Sequence, residues 1–558
     1  MEPERGRLGQ GRGAVVGPLL GRSFAPALLI AFVALVFLAG LGRLPLFGRD
    51  EALYAEAGRE MSASGDWITP RVNGAFFFEK PPLLYWLDAL AYSAFGPTPF
   101  AARLPAALLG VLTVALTVAT VSRVWGKRAG ILAGVMLVTC PLVVMIARMG
   151  IMDMPLTCLV TLAMLAYARW RRRDGPAPAV AFGLLVGLAI LLKGLAGGLG
   201  PAVAVVHAFA YRQKPRAISF VSVLLALVAM VIVAAPWFVA MAARHGQGYT
   251  AVFFIHEHLL RMTKPMQGHG GPILYYVALI AFAFFPWIAL LPAALGARRN
   301  DDEEKAFWRG LAIVWFLVVL VPFSLIKTKL PGYIMPLFPP MAMLVAAELD
   351  RRLERPGRAP WIGAVAGGIV LAGLFALLPV AGARLGARFN VSNAAGILIV
   401  PTAFWVGGYG ASIVGAIAGI RGRGAAGVML MAAGQLVVIG ALLIGMLPVL
   451  SPYLGGGPAD LAQLAQSDLP GRQIVLYETR PEAVAFVLRR SVPVFSHSER
   501  DKLVAALRGG PTALIAPLKE REVWGSLPHG QVWPRGLDVL VDVPRLPKEP
   551  GHDVEGPV

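Results

Sequence analysis

Ionisable residues cluster in the sequence directly after the first long apolar segment. They are Asp50, Glu51, Glu56, Glu79 and Lys80. The chain is 57% hydrophobic, and ionisable groups at or near a bilayer are costly and therefore usually functional. Aromatic residues and proline flank these acids, where an ordinary solvated loop would carry small polar residues. The pattern favours a reactive site at a membrane boundary over a solvated loop.

Further polar residues lie in other connections between apolar segments, and we predict that they share one side of the membrane. They include Asp153, Lys193, Arg261, Lys329 and Tyr333. Lysine and arginine both hold phosphate groups, and a carboxylate in such a site can act as a general base. We therefore expect one cavity that is suited to phosphate chemistry. For Asp153 a helix N-cap role remains an alternative, and the two roles can coexist.

A metal site is a second possibility. Glu79 and His258 could bind a divalent ion, but two ligands are too few to define a site. The alternative is that His258 is simply hydrogen-bonded within its loop. The prediction is therefore a possible divalent ion and no other cofactor.

The composition restricts the class of protein. Only 15% of the 558 residues are charged, which is typical of a protein that crosses the membrane many times. The net charge of +19 does not indicate nucleic-acid binding, because the basic residues lie in short loops between apolar segments. Such loops mark the cytoplasmic side.

The apolar segments predict the topology. A helix needs about 20 apolar residues to cross a bilayer, and we predict about 13 such helices within residues 1–451. The bias of arginine and lysine places the N-terminus inside the cell. It places the two long loops 45–99 and 244–272 outside, together with a tail at 452–558.

The tail has the pattern of a small α/β domain. Short strands are predicted at 474–477, 492–495 and 513–516, with helices at 481–490 and 499–508 between them. It has no glycine-rich phosphate loop, so we expect the chemistry to lie in the membrane domain. The predicted fold class is an all-α polytopic membrane domain with a small C-terminal α/β domain.

Several motifs together resemble the bacterial aminoarabinose transferases, lipid A-modifying enzymes related to the protein mannosyltransferases. The resemblance runs in order along nearly the whole chain. It rests on the segments Arg49–Glu56, Glu60–Trp67, Phe78–Pro81, Lys193-Gly194, Glu257-His258 with Arg261, and Lys329–Tyr333.

The resemblance implies a C-type glycosyltransferase fold in the bacterial inner membrane, with the active site facing the periplasm. The donor would be undecaprenyl phosphate carrying 4-amino-4-deoxy-L-arabinose, and the acceptor a phosphate of lipid A. The added cationic sugar would weaken the binding of cationic peptides such as polymyxin.

The resemblance also implies roles for the candidate residues. Asp50 would assist the attack of the acceptor on the anomeric carbon, with inversion, and Asp153 and Glu51 are further catalytic candidates. The donor and its phosphate would be bound by Lys80, Tyr54, Arg261, Lys329, Tyr333 and Lys193.

Two alternatives remain open. A lipid transporter or flippase would show internal repeats with broken helices at matching positions, and the sequence has no such repeat. A related polyprenyl-phosphate-sugar transferase that acts on a protein or on another lipid is compatible with the same motifs.

Overall fold

The structure is a computed structural model that describes residues 24–173, 175–211, 218–253, 270–296, 301–355, 357–388 and 394–547. Two predicted site residues, His258 and Arg261, lie outside the described residues, as does the neighbouring Glu257.

The described part is mainly α-helical. Its first ten helices are α1 Ala25–Leu38, α2 Arg49–Ser64, α3 Leu83–Phe95, α4 Pro99–Trp125, α5 Lys127–Val138, α6 Pro141–Ala147, α7 Asp153–Arg173, α8 Pro176–Lys193, α9 Leu199–Ala210 and α10 Phe220–Thr250. The next nine are α11 Tyr275–Ala283, α12 Leu291–Leu295, α13 Glu303–Leu325, α14 Phe338–Glu354, α15 Ala359–Ala376, α16 Leu378–Arg388, α17 Ala394–Ile420, α18 Gly424–Gly440 and α19 Leu447–Leu450.

Many of these helices are long and apolar enough to cross a membrane. Among the described residues there are eight such helices, or up to ten if each of two sharply bent helix pairs is one span. Helices satisfy their own backbone hydrogen bonds, which is why they can cross the hydrocarbon region. The chain is therefore a multi-pass membrane protein, and the number of 13 spans stays a prediction.

The segment between α1 and α4 carries α2, α3 and a short hairpin of strands β1 (Arg71–Val72) and β2 (Ala75–Phe76). The sequence predicts that α2 lies in the membrane interface with one apolar face. In the structure every residue of α2 from Glu51 to Met61 is buried. The difference arises because α3, strand β1 and helix Glu482–Leu488 of the tail pack against α2, and Arg103 of α4 pairs with its Glu51.

The tail folds around a five-stranded sheet. Its strands are β3 Gln473–Tyr477, β4 Val494–Phe495, β5 Thr512–Pro517, β6 Val532–Arg535 and β7 Asp538–Val543, in the order β4-β3-β5-β7-β6. Its helices are α20 Gly457–Asp468, α21 Glu482–Leu488, α22 Arg500–Gly509 and α23 Arg521–Trp524.

Three of these strands and two of these helices match predicted segments, whereas β6 and β7 were not predicted. Strand β3 pairs parallel with both β4 and β5, while β7 pairs antiparallel with β5 and β6. The predicted fold class is thus confirmed, and the residue boundaries of the two domains stay a prediction.

The tail is fastened to α2 and α3. The ring of Phe486 packs 6.0 Å from the ring of Tyr92, within a buried apolar cluster that also contains Ala55 and Ala483. The side chain of Asn73 forms hydrogen bonds with both the backbone N–H and the carbonyl of Val492, at 2.7 and 3.0 Å. These contacts hold α21 in a defined position against the helix that carries the first acids.

Candidate functional site

One cavity of about 590 Å³ is lined by three of the acids that the sequence singles out, Asp50, Glu51 and Asp153; we refer to it as the polar cavity. Asp50, Asp153 and Tyr333 line it, and so do Arg49 and Arg480. These side chains come from α2, α7, the turn Pro331–Leu337 and the tail domain. The predicted convergence of distant segments is therefore present for Asp50, Asp153 and Tyr333.

Asp50 lies in the first turn of α2 and is exposed to this cavity. Gly48 begins the helix with φ +80°, a backbone conformation that other residues rarely adopt. An acid in the first turn is also stabilised by the helix dipole. The local sequence thus fixes the carboxylate at a helix start that opens towards the cavity.

A second cavity of about 380 Å³ lies beside the first; we refer to it as the apolar cavity. Most of its lining is aliphatic or aromatic, including Leu199, Val318 and Phe323, while Glu79, Lys80 and Lys193 supply charge. Thr328 and Tyr333 line both cavities. A long hydrocarbon chain with an anionic head is the kind of molecule that such a lining suits.

An ion pair joins the two cavities. The Lys193 ammonium lies 2.7 Å from Asp153 Oδ1, and both side chains are largely buried. Lys193 lines the apolar cavity, and Asp153 lines the polar cavity. The Lys193 ammonium is also 5.1 Å from the centroid of the Tyr333 ring, within cation–π range.

Two glycines make room for this pair. Gly194 follows Lys193 with φ +56°, which lets α8 end abruptly at the lysine. At Gly332 a Cβ atom would lie 2.6 Å from Cγ of Asp153. The Asp153 carboxylate therefore packs against the backbone of Gly332, where there is no room for a side chain. Asp153 also stands at the start of α7.

Glu51, the neighbour of Asp50, is fully buried. Its carboxylate accepts two hydrogen bonds of 2.8 Å from the Arg103 guanidinium. It accepts two more from the backbone N–H groups of Phe47 and Gly150, at 3.0 and 2.9 Å. Glu51 also lines the polar cavity, but its carboxylate oxygens are engaged by groups within the protein.

Lys329 is also engaged within the protein. Its ammonium donates to the backbone carbonyls of Phe323, Ser324 and Ile326, at 3.0, 2.6 and 2.5 Å. These carbonyls end α13, where a cation is favoured by the helix dipole. Burial lowers the pKa of Lys329. The side chain lines neither of the two cavities.

Tyr54 is buried beneath the site, with its ring centroid 6.0 Å from that of Tyr85. Burial, followed by the charge of Asp50, raises the pKa of Tyr54 well above its ordinary value. The Tyr54 hydroxyl therefore stays protonated at neutral pH. The Tyr54 side chain lines neither of the two cavities.

The predicted metal ligands are only partly placed. Glu79 lines the apolar cavity next to Lys80, and His258 lies outside the described residues. Among the described residues there is no group of three or more His, Cys, Asp and Glu side chains that could hold a metal ion. The divalent ion stays a prediction, and the sugar transfer that we propose does not require it.

Two functional features were missed at the sequence level. Arg103 was not predicted as the partner of Glu51, although an arginine inside an apolar helix is a signal for a buried acid. Arg480 was missed because the tail was not expected to reach the site. Its sequence carries no motif that could have indicated the contact.

Comparison with known families supports the resemblance. Residues 79–239 match the family described as dolichyl-phosphate-mannose-protein mannosyltransferase. The chain is 33% identical over 359 residues to the undecaprenyl phosphate-alpha-4-amino-4-deoxy-L-arabinose arabinosyl transferase of Aeromonas salmonicida (strain A449), covering 62% of this chain and 64% of that relative. The protein of the same name from Edwardsiella ictaluri (strain 93-146) is 32% identical over 360 residues, covering 63% and 64%. The alignments span a little under two thirds of these relatives.

Solved structures extend the similarity to nearly the whole chain. ArnT from Cupriavidus metallidurans bound to undecaprenyl phosphate superimposes with a TM-score of 0.75 and 26% identity, covering 93% of this chain and 98% of that chain. Its apo state gives a TM-score of 0.74 and 25% identity, covering 92% and 97%. The predicted resemblance is confirmed: in sequence and in fold, this chain is similar to the bacterial aminoarabinose transferases.

Proposed function

We propose that this protein is an integral-membrane glycosyltransferase that moves 4-amino-4-deoxy-L-arabinose from undecaprenyl phosphate to a phosphate of lipid A. The observation that carries the proposal is the junction of the two cavities. The apolar cavity carries two lysines, and the polar cavity carries the exposed carboxylate of Asp50. The two cavities meet at the Lys193–Asp153 ion pair. A prenyl-linked donor and a polar acceptor require such an arrangement.

The donor would bind with its prenyl chain along the apolar cavity and its phosphate near Lys80 and Lys193. Pro81 follows Lys80 and biases it towards extended backbone, which would help to aim the lysine side chain. Both lysines line the same cavity. Cations at this position would stabilise the negative charge that grows on the departing phosphate.

The transfer breaks one bond and forms one. The bond between the anomeric carbon and the donor phosphate oxygen breaks, and undecaprenyl phosphate leaves with the electron pair. An oxygen of the lipid A phosphate forms the new bond from the opposite face of the sugar, which inverts the anomeric carbon. Asp50 would orient the acceptor and take the proton of a singly ionised acceptor phosphate.

The other acids and bases of the site would position these groups. Glu51 would fix the start of α2 through Arg103 and thereby aim Asp50, so we assign it a positioning role. Lys329 would hold the end of α13 next to the Tyr333 turn in the same way. The arginine bias of the loops supports an orientation in which the site faces the periplasm.

Mass spectrometry of lipid A tests the proposal. The protein would be expressed in Gram-negative cells that make the lipid-linked donor but lack their own transferase. We expect a mass shift of one aminopentose, with no shift for Asp50→Asn expressed at the same level. Unmodified lipid A with a folded, membrane-inserted protein would contradict the proposed acceptor.

The match to the protein mannosyltransferase family supports testing a second class of acceptor, a protein or another lipid. In the same cells, membrane proteins and other lipids would be analysed for the added sugar. Sugar on a protein, with lipid A unchanged, would assign the chain to a related transferase with another acceptor. That result would leave the proposed donor side of the site intact.

A further inference from the structure

Arg480 belongs to the tail domain, yet it lines the polar cavity together with Asp50. It stands between β3 and α21, just beyond the carboxyl end of a strand with parallel neighbours on both sides. Crevices at the carboxyl ends of parallel strands are common ligand sites. Its side chain is exposed, so it costs little to leave without a ligand.

The position of Arg480 is defined by the docking of the tail. Helix α21 begins two residues later, and its Ala483 and Phe486 pack in the apolar cluster with α2 and α3. The carbonyl of Arg489, at the end of α21, accepts a hydrogen bond of 3.3 Å from Arg59 of α2. Arg480 is thus held against the helix that carries Asp50.

The charges of the polar cavity do not balance within the protein. Asp153 is neutralised by Lys193, and Glu51 by Arg103. Arg49 and Arg480 remain, and across the described residues neither guanidinium has a carboxylate within ion-pair distance. Among the described residues that line the cavity, two arginines and one acid, Asp50, are left without an ion-pair partner, which leaves an excess of positive charge.

We infer that Arg480, together with Arg49, binds the anionic phosphate of the acceptor and that the tail domain is therefore part of the acceptor site. The inference rests on the proposed function. A guanidinium is a planar fork that binds two phosphate oxygens at once. It would hold the acceptor phosphate beside Asp50, on the side of the junction opposite the donor lysines.

Steady-state kinetics with purified enzyme in nanodiscs tests the inference. For Arg480→Ala we expect the KM for lipid A to rise about 10- to 100-fold, as for the loss of a charged hydrogen bond. The KM for the lipid-linked donor should stay within about twofold. Arg480→Lys should recover part of the loss, because a point charge replaces the fork incompletely.

Arg490→Ala is the matched control. Arg490 is an exposed arginine of the same domain, and it does not line the polar cavity. Its substitution should leave both KM values unchanged. An unchanged acceptor KM in Arg480→Ala, an equal loss in Arg490→Ala, or a rise in donor KM alone would each overturn the inference.

A binding measurement separates this inference from the proposed function. Nanodiscs would contain lipid A, dephosphorylated lipid A or phosphatidylglycerol, and binding would be measured without turnover. We expect wild type to prefer phosphorylated lipid A at least about tenfold, and Arg480→Ala to lose that preference. If wild type prefers phosphorylated lipid A but transfers no sugar, the proposed reaction is wrong and the anion site stands. The proposed acceptor site is wrong if wild type and Arg480→Ala show the same preference, or if wild type binds phosphatidylglycerol as well as lipid A. This holds even if wild type transfers the sugar.

Discussion

The two cavities meet at Tyr333 and Thr328, but they are built by different means. The apolar cavity is lined mainly by apolar residues, many of them from α9 and α13, and its charge comes from Glu79, Lys80 and Lys193. The polar cavity is assembled from five separate parts of the chain, including the tail domain. A prenyl chain needs only an apolar lining, whereas an anionic acceptor needs several groups at fixed positions.

We expect substrate specificity to reside mainly in the polar cavity. Hydrophobic contacts discriminate weakly between similar chains, but buried polar groups discriminate strongly. We therefore expect donor recognition to tolerate change in the apolar cavity and acceptor chemistry to be sensitive to each polar residue. Four sets of substitutions test this distinction.

The largest effect is expected for Asp50→Asn in the polar cavity. The substitution keeps the shape but removes the charge, so turnover should fall about 100- to 10,000-fold, as for the loss of a general base. Donor binding, measured with labelled undecaprenyl phosphate, should stay near that of wild type. Turnover close to wild type would show that Asp50 is structural and that Asp153 is the better catalytic candidate.

The Lys193–Asp153 pair should couple the two cavities. Asp153→Asn and Lys193→Met should each lower kcat/KM strongly, because each leaves a largely buried charge without its partner. The double variant should lose much less than the sum of the two losses. A double-mutant cycle on kcat/KM measures this coupling, and strictly additive losses would mean that the pair does not act as a unit.

Lys80→Ala tests the donor side. Removing one charged contact to the donor phosphate should cost about 1.5–3 kcal/mol, or about one to two decades in kcat/KM. Lys80→Arg should restore activity only partly. Lys127→Ala, at an exposed lysine at the start of α5, serves as the control. A larger rise in acceptor KM than in donor KM would reverse the assignment of the two cavities.

The smallest effect is expected inside the apolar cavity. Ala202→Trp should fill part of it and raise the KM for a long-chain donor about fivefold, equivalent to about 1 kcal/mol. A short-chain donor should be unaffected. Val205→Trp is the control, because Val205 is exposed on the same helix and does not line the cavity. Equal effects on both donors would place the prenyl chain elsewhere.

The first acids show how far local sequence can be interpreted. Asp50 and Glu51 are adjacent and equally plausible as catalytic residues in the sequence. On a helix, adjacent residues point in directions about 100° apart. The structure turns Asp50 towards the polar cavity and Glu51 towards Arg103. Which acid meets the substrate depends on α4, far along the chain, and local sequence cannot report it.

Lys193 and Lys329 also show that local sequence does not report the contacts of a side chain. Lys193 ends α8 and Lys329 lies in the connection after α13, and the resemblance implies that both bind the donor. Only their tertiary contacts distinguish the two lysines. The Lys329 ammonium donates to three backbone carbonyls at the end of α13. The Lys193 ammonium instead binds Asp153, which is 40 residues away in the sequence. A lysine motif therefore predicts a cation near the site, but not the group that it neutralises.

The sequence alone was sufficient for the membrane character, the helix α2, the convergence of Asp50, Asp153 and Tyr333, and the α/β pattern of the tail. These properties follow from local composition, periodicity and motifs. The tertiary structure decided the enclosure of α2, the division into two cavities and the approach of Arg480. Those depend on contacts such as the one between Arg59 and Arg489, which are 430 residues apart. Long-range packing is set by the shapes of whole surfaces, and no local pattern encodes it.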